Sequence, residues 1–353
     1  MNQVNPLHLE AGEDLDLKVA ETLSIFQRLF ADDGGTSGAP RMETILRHAL
    51  YTLTQIPGTT LLDIEPLLDR TNESRRAALL GQVHDSESQH FWRETYLAYP
   101  KDAHLSLVNR LGRLLQPKIM RTVLCCEGEP LKVRRCMDEG KVLLFNLSDG
   151  LLGEQNAQLL GQLIVAKIQL AAMSRASAAQ RERRPFYLYI DEFQSFCGAS
   201  ASSYEKILSR ARKYGLGLVL AHQQTGQISE SMLREILGNV STIIAFNVGA
   251  TDARRIALEL TGEIDGMPAP TKPDALQGLR VGEAVCRIGR SVFSVTTLPG
   301  PTGGSARTRA EVVRRSRQAF GTAGAIRQDA RSLQATPVAG DIAGLDPGEV
   351  FRA

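Results

Sequence analysis

Apolar residues recur every three to four positions through the first third of the chain. From Leu15 to Phe30 they fall at Leu15, Val19, Leu23, Ile25, Phe26 and Leu29, the stripe of an amphipathic helix. A polar, glycine-rich break runs from Asp32 to Pro40. A second helix is expected from Met42 to Ile56, stopped by Pro57-Gly58. Thr60 to Leu68 opens a short third, and helical spacing returns over Ser74–His84, Ser86–Ala98 and Ala103–Leu115. No strand pattern precedes about residue 122, so residues 1–120 are expected to form an all-helical unit.

Beyond that point the period changes. Lys141–Leu147, Phe186–Ile190, Gly217–Ala221 and Ser241–Phe246 are continuous apolar runs of strand length. Helical patterns over Gly150–Met173, Tyr204–Tyr214, Ser229–Leu237 and Thr251–Leu260 alternate with them. Such alternation predicts an α/β fold with a parallel sheet buried on both faces. Right-handed crossovers then bring the strand C-terminal ends to one edge, where ligands bind. Glu283–Ile288 and Ser291–Thr296, joined at Gly289-Arg290, read as a hairpin closing a core over residues 121–298. From Pro299 the chain turns to Gly, Ala, Arg, Ser and Thr. Residues 299–353 are expected as a flexible, disordered basic tail, with a short helix at Ala310–Phe320.

Composition narrows the picture only a little. The chain has 353 residues, 43% of them hydrophobic and 23% charged, with a net charge of +2. A near-neutral chain binds polyanions only through local patches. The five cysteines, Cys125, Cys126, Cys136, Cys197 and Cys286, make no C-x-x-C pair, against a structural zinc and for a reducing compartment. Cys125-Cys126 reads as a buried pair at a strand end. No basic leader followed by an apolar run opens the chain. Ala157–Met173 is interrupted by Gln158, Gln162, Lys167 and Gln169, too polar to span a bilayer and suited to a core.

The candidate chemistry gathers at strand ends. Phe186-Tyr187-Leu188-Tyr189-Ile190 runs directly into Asp191-Glu192. A buried strand can deliver Asp191 to the sheet edge to hold Mg²⁺, and Glu192 to polarise a water that attacks a γ-phosphate. The plainer reading is a pair of acids capping the next helix. Gln223 follows the next apolar run and can sense a γ-phosphate or orient the water, or simply bond loop backbone. His222 beside it reads as a packed neighbour rather than a base. In Ser209–Gly215, Arg210, Arg212 and Lys213 form a basic cluster. It is either a solvated helix end or the source of an arginine reaching a neighbouring subunit's nucleotide, with Arg212 the first candidate and Arg210 the second. Arg41, at a helix start, is a further candidate for that role or a partner of nearby acids. The tail arginines Arg307, Arg309, Arg314, Arg315, Arg317, Arg327 and Arg331 suit nucleic-acid phosphates or plain solvation.

Taken in order, these segments resemble the conjugative DNA-transfer coupling ATPases of the TraG/TraD type and their HerA/FtsK-like relatives. The resemblance runs from Asn5 to about Phe320. It rests on Gly38–Glu43 with Ile45–Arg47, Pro57–Ile64, Glu139–Ser148, Gly153–Ala157, Phe186–Phe196, Arg210–Gln223, Gly238–Val240 and Val248–Ala253. It implies a RecA-like motor core with an inserted helical domain, working as a hexameric ring that moves single- or double-stranded DNA with ATP and Mg²⁺. Relaxase and type IV secretion channel proteins would be its partners. The expected place is the cytoplasm, peripheral at the inner membrane through those partners. Carried over by position, Asp191 and Glu192 occupy the Walker B acids, Gln223 the sensor glutamine and Arg212 the arginine supplied in trans.

One departure is large. Nowhere do the 353 residues read G-x-x-x-x-G-K-[ST], the loop whose amides and lysine cradle phosphates. The expectation is either a truncated or split motor whose loop is encoded upstream, or a chain that has become a non-catalytic ring or adaptor module. A HerA/FtsK-like role in DNA repair or segregation stands beside these.

Overall fold

The computed structural model describes residues 4–9, 14–31, 40–125, 131–196, 211–264 and 267–320. The helical first third forms as its periodicity predicts. It comprises α1 (Leu15–Ala31), α2 (Pro40–Thr54), α3 (Ile64–Leu68), α4 (Glu73–Leu80), α5 (Ser86–His90), α6 (Tyr96–Ala98) and α7 (Leu105–Leu115). Local chemistry sets the boundaries. Asn72 and Asp85 each accept a backbone N–H at a helix start, and Thr60 and Asp63 form a reciprocal capping box before α3. A π-helical turn, Phe91–Thr95, joins α5 to α6 and turns Phe91 and Trp92 inward. The Trp92 indole N–H donates to Thr52 at 2.7 Å, and the Tyr96 hydroxyl donates to the Leu68 carbonyl at 2.7 Å, so each buried aromatic places its polar tip.

Two helices follow that the pattern did not predict, α8 (Lys118–Leu124) and α9 (Val133–Glu139), then α10 (Asp149–Leu152) and α11 (Glu154–Met173). Cys125 is buried but closes α8 rather than a strand; a 3.6-residue period over Met120, Val123 and Leu124 decides it. The helical core continues through α8 and into α11, drawing on Ala157, Leu160, Leu163 and Ala166. The same α11 sends Val165, Ile168 and Ala172 into a second core with Val133, Met137, Ile190 and Phe193. Glu154–Ala176 is the one span among the described residues long and apolar enough to cross a membrane, and 56% of its most apolar window is buried in the fold. That is the behaviour of a core helix.

The strands are β1 (Phe186–Ile190), β2 (Leu216–Leu220), β3 (Thr242–Ala245), β4 (Gly262–Ile264), β5 (Met267–Ala269), β6 (Glu283–Ile288) and β7 (Ser291–Thr296). They are interleaved with α12 (Glu230–Asn239), α13 (Ala250–Glu259) and α14 (Pro273–Gln277), and followed by α15 (Ala306–Phe320). β1 and β2 pair in parallel, Phe186 opposite Leu216 through Ile190 opposite Leu220. The remaining strands form a second sheet in the order β3-β6-β7-β4-β5, with the expected hairpin β6–β7 at its centre.

The expected single parallel sheet is therefore corrected in detail. β3 pairs antiparallel with β6 rather than joining β2. Residues 141–148 form neither helix nor strand and pair with no strand among the described residues. Burial on both faces is not observed either. Phe186, Leu188 and Ile190 face the second core, while Tyr187 and Tyr189 are 61% and 71% exposed. Gly217 gives room for the Tyr187 ring, since a Cβ there would lie 2.7 Å from its Cδ1. Of the expected helix Tyr204–Tyr214 only Ala211–Tyr214 lies within the described residues, as a 3₁₀ turn. The tail beyond Phe320 lies outside them.

Candidate functional site

β1 ends at Ile190, whose side chain is anchored in the second core, so Asp191 and Glu192 emerge at the C-terminal edge of the parallel pair. The turn is tight. Glu192 has φ 49°, the only positive φ of a non-glycine among the described residues. Its N–H donates to the Asp191 carboxylate at 3.0 Å, and its carbonyl accepts from the Ser195 N–H at 2.9 Å. A glutamate in this region is uncommon and costs on the order of 1 kcal/mol or more. Phe193, fully buried, anchors the turn, and its N–H donates to the Ala221 carbonyl at 3.1 Å.

That bond ties the turn after β1 to the turn after β2, and an acidic and an amide side chain meet across it. Gln223 Nε2 donates to Glu192 Oε1 at 2.8 Å, with both residues exposed to solvent. His222 packs edge-on against Phe193, ring centroids 5.4 Å apart. Burial pushes the His222 pKa down, so the ring is neutral near pH 7 and acts as the packed neighbour expected of it.

A second connection was not visible in the sequence. Thr225, two residues past Gln223 and buried, gives its backbone N–H to Asp252 Oδ2 at 3.3 Å and its hydroxyl to Asp252 Oδ1. Asp252 stands in the first turn of α13. An acid there is favoured in any helix, so nothing in the sequence separates this one from an ordinary helix start. The clamp fixes the Gln223 loop to the helix that follows β3.

The pair Glu192–Gln223 lies between two clefts. One, of about 1070 Å³, is lined by Gly140–Gly150, the exposed edge of β1, and Asp191, Glu192 and Ser195. The other, of about 770 Å³, is lined by Gln223–Gly226, Asn247–Asp252, Arg254 and Arg255. No group of three metal-ligating side chains occurs among the described residues. A magnesium ion at this edge would rest on Asp191, with phosphate oxygens and water completing its shell, the usual manner of magnesium in nucleotide sites. The residues present thus fit the metal and water side of a nucleotide site. They include no phosphate-cradling loop.

Arg212 lies elsewhere. It is exposed in the turn Ala211–Tyr214, immediately before β2, at the N-terminal edge of the pair. Five strand residues separate that edge from Glu192, about 16 Å at strand rise. The turn is held from below. Arg175, 1% exposed, donates to the Tyr214 carbonyl at 3.3 Å and the Arg184 carbonyl at 2.6 Å, and pairs with Asp138 at 3.1 Å. Arg183 donates to the Lys213 carbonyl. Arg210 lies outside the described residues. Arg41 is exposed in the first turn of α2, its guanidinium 5.3 Å from the Tyr99 ring centroid. The structure therefore brings Asp191, Glu192 and Gln223 together, places Arg212 at the opposite edge of the strand pair and sets Arg41 against Tyr99.

Comparison with known proteins bears on the segment and the fold that carry this site. Residues 185–265, from β1 to β4, match the family described as the TraM recognition site of TraD and TraG. Among solved structures, the unbound bacterial conjugative coupling protein TrwBΔN70 superposes with a TM-score of 0.57 at 16% identity, over 86% of this chain and 74% of that one. TrwB in complex with ADP and Mg²⁺ gives 0.57 at 18% identity, over 86% and 72%. TrwB with a non-hydrolysable ATP analogue gives 0.55 at 18%, over 84% and 71%. No curated protein sequence matches. The resemblance drawn from the sequence and the RecA-like α/β fold it implied are both borne out.

Proposed function

We propose that this chain, with its TraG/TraD-type segment set in a coupling-protein fold, is part of an ATP-driven coupling protein for conjugative, type IV secretion DNA transfer. The observation that carries the reading is the Gln223–Glu192 hydrogen bond at the C-terminal edge of the parallel strands. Bound ATP with Mg²⁺ would supply the phosphoanhydride whose cleavage drives movement. Asp191 is the metal-side carboxylate. Glu192 accepts the proton of the attacking water, and Gln223, fixed by the Thr225–Asp252 clamp, orients that water. Hydrolysis on this reading also requires a phosphate-cradling loop, and the 353 residues contain no G-x-x-x-x-G-K-[ST] stretch to provide it.

Arg212, on the far edge of the strands, suits an arginine that serves the site of the next subunit, and Arg41 is a second candidate. A head-to-tail interface of this kind closes into a ring, for which a homo-hexamer is proposed. Its DNA cargo is single- or double-stranded. Relaxase and secretion-channel proteins are the proposed partners, and the cytoplasmic face of the inner membrane the proposed place. Residues 1–120 form the inserted helical domain, 121–298 the motor core and 299–353 the tail. The test is DNA-stimulated ATP hydrolysis by the chain joined in frame to its upstream coding sequence. Glu192→Gln should lower turnover about 100-fold or more while ATP binding persists; unchanged turnover would sink the assignment.

A second reading, a non-catalytic ring or adaptor subunit, is favoured by the missing G-x-x-x-x-G-K-[ST] stretch. Magnesium-dependent micromolar ATP binding by the 353-residue chain alone would count against it.

A further inference from the structure

The motor reading leaves α15 without a task. It is a 15-residue helix, Ala306–Phe320, beyond the second sheet, and none of its described residues is buried. An isolated helix of this length is marginal in water, and this one has no apolar face against the cores to support it. Its charge is one-sided. At 100° per residue, Arg307, Arg314, Arg315 and Arg317 fall within an arc of about 160°, and Arg309 falls opposite.

Glu311 lies inside that arc. It takes two bonds from Arg314, both 2.7 Å, and one from Arg315 at 2.6 Å, so the two guanidinium groups share one carboxylate on the exposed face. Gln318 accepts from Arg314 at 2.8 Å and fixes its other edge. All five basic residues of the helix are arginine and none is lysine. Arginine presents a planar fork suited to bidentate contact with phosphate oxygens.

We infer that α15 is a phosphate-backbone-binding helix: its Arg307–Arg314–Arg315–Arg317 face docks on the phosphodiester backbone of a nucleic acid, without reading its bases. A lipid surface fits less well. Interfacial helices carry a stripe of large apolar residues opposite the basic face, whereas here that side holds only Val312, Val313 and Phe320, with Arg309 and Ser316 falling among them. Nucleic-acid docking does not depend on ATP hydrolysis, so it stands or falls apart from the motor assignment.

The test uses the 353-residue chain and fluorescence anisotropy with labelled single-stranded and duplex DNA and RNA of mixed sequence, between about 50 and 200 mM salt. Replacing the four arginines of the arc by Gln should weaken duplex binding at least about tenfold. It should also make the log K against log salt slope shallower by about 3.6, roughly 0.9 for each phosphate no longer neutralised. Arg309→Gln, on the opposite side, should leave both unchanged. Glu311→Gln removes the one negative charge facing the backbone and should tighten binding. The proposal is overturned by an unchanged slope in the fourfold variant, or by an Arg309→Gln loss equal to that of an arc arginine. It is also overturned if phosphatidylserine vesicles bind the chain through the arc while nucleic acids do not. Equal losses on DNA and RNA support backbone docking; a loss on only one of them identifies which backbone is bound.

Discussion

Thr225 and Asp252 belong to segments 27 positions apart, yet one carboxylate accepts both the backbone N–H and the hydroxyl of the threonine. The threonine is buried and the aspartate partly so, and water replaces the two bonds only incompletely. Asp252→Ala strands that hydroxyl and should cost about 1–3 kcal/mol, read as a lower urea midpoint with an unchanged slope. Asp252→Asn keeps one acceptor and should cost less.

The Gln223–Glu192 bond predicts a kinetic signature. Gln223→Ala frees the Glu192 carboxylate from its fixed partner without touching a buried side chain, so the fold should be unaffected. In the loop-completed protein, turnover should fall about 10- to 100-fold with KM for ATP little changed. Steady-state hydrolysis with DNA present measures it, and a rise in KM at constant kcat would remove Gln223 from the chemistry.

Gly161, in the middle of α11, supports the same turn from behind. A Cβ there would lie 2.1 Å from Phe196 Cδ1. Alanine normally stabilises a helix interior by about 1 kcal/mol over glycine. Here Phe196 must move, and with it the turn that follows Glu192, so Gly161→Ala should destabilise by about 1–3 kcal/mol. Thermal unfolding gives the sign directly.

Three histidines, His48, His104 and His222, have pKa values pushed down, chiefly by burial. The unfolded chain then binds protons at a higher pH than the native one. Stability is full above the ordinary histidine pKa of about 6.5 and declines as pH falls through it. His48 stacks on Phe91 with ring centroids 3.7 Å apart. His48→Phe retains the stack and removes one proton acceptor, so its urea midpoint should change less between about pH 7.5 and about pH 5 than that of the parent chain.

Much of this architecture was legible in the chain. Helical spacing located α1, α2 and α7, because each buries one stripe and leaves the rest wet. The run Phe186–Ile190 located β1 and placed Asp191 and Glu192 at its end, and the next run placed Gln223. Lys141–Leu147 is likewise a mainly apolar run and yet forms no ladder among the described residues. Leu143 and Phe145 pack inward, while Val142 and Leu144 are 83% and 80% exposed. Composition reports what a segment can bury and is silent on which strand lies beside it. For the same reason the antiparallel pairing of β3 with β6 was not foreseeable: partners 40 or more residues apart are chosen by tertiary packing. The Thr225–Asp252 clamp was hidden because each residue is ordinary where it stands.

α11 lends buried side chains to two cores at once, Leu160 and Leu163 to the helical one and Val165 and Ile168 to that beneath the strands. Neither core can open along this helix without exposing apolar surface of the other. The two should therefore melt in a single transition, and a cut or strain placed in α11 would be felt at the Glu192 turn and in the helical domain alike.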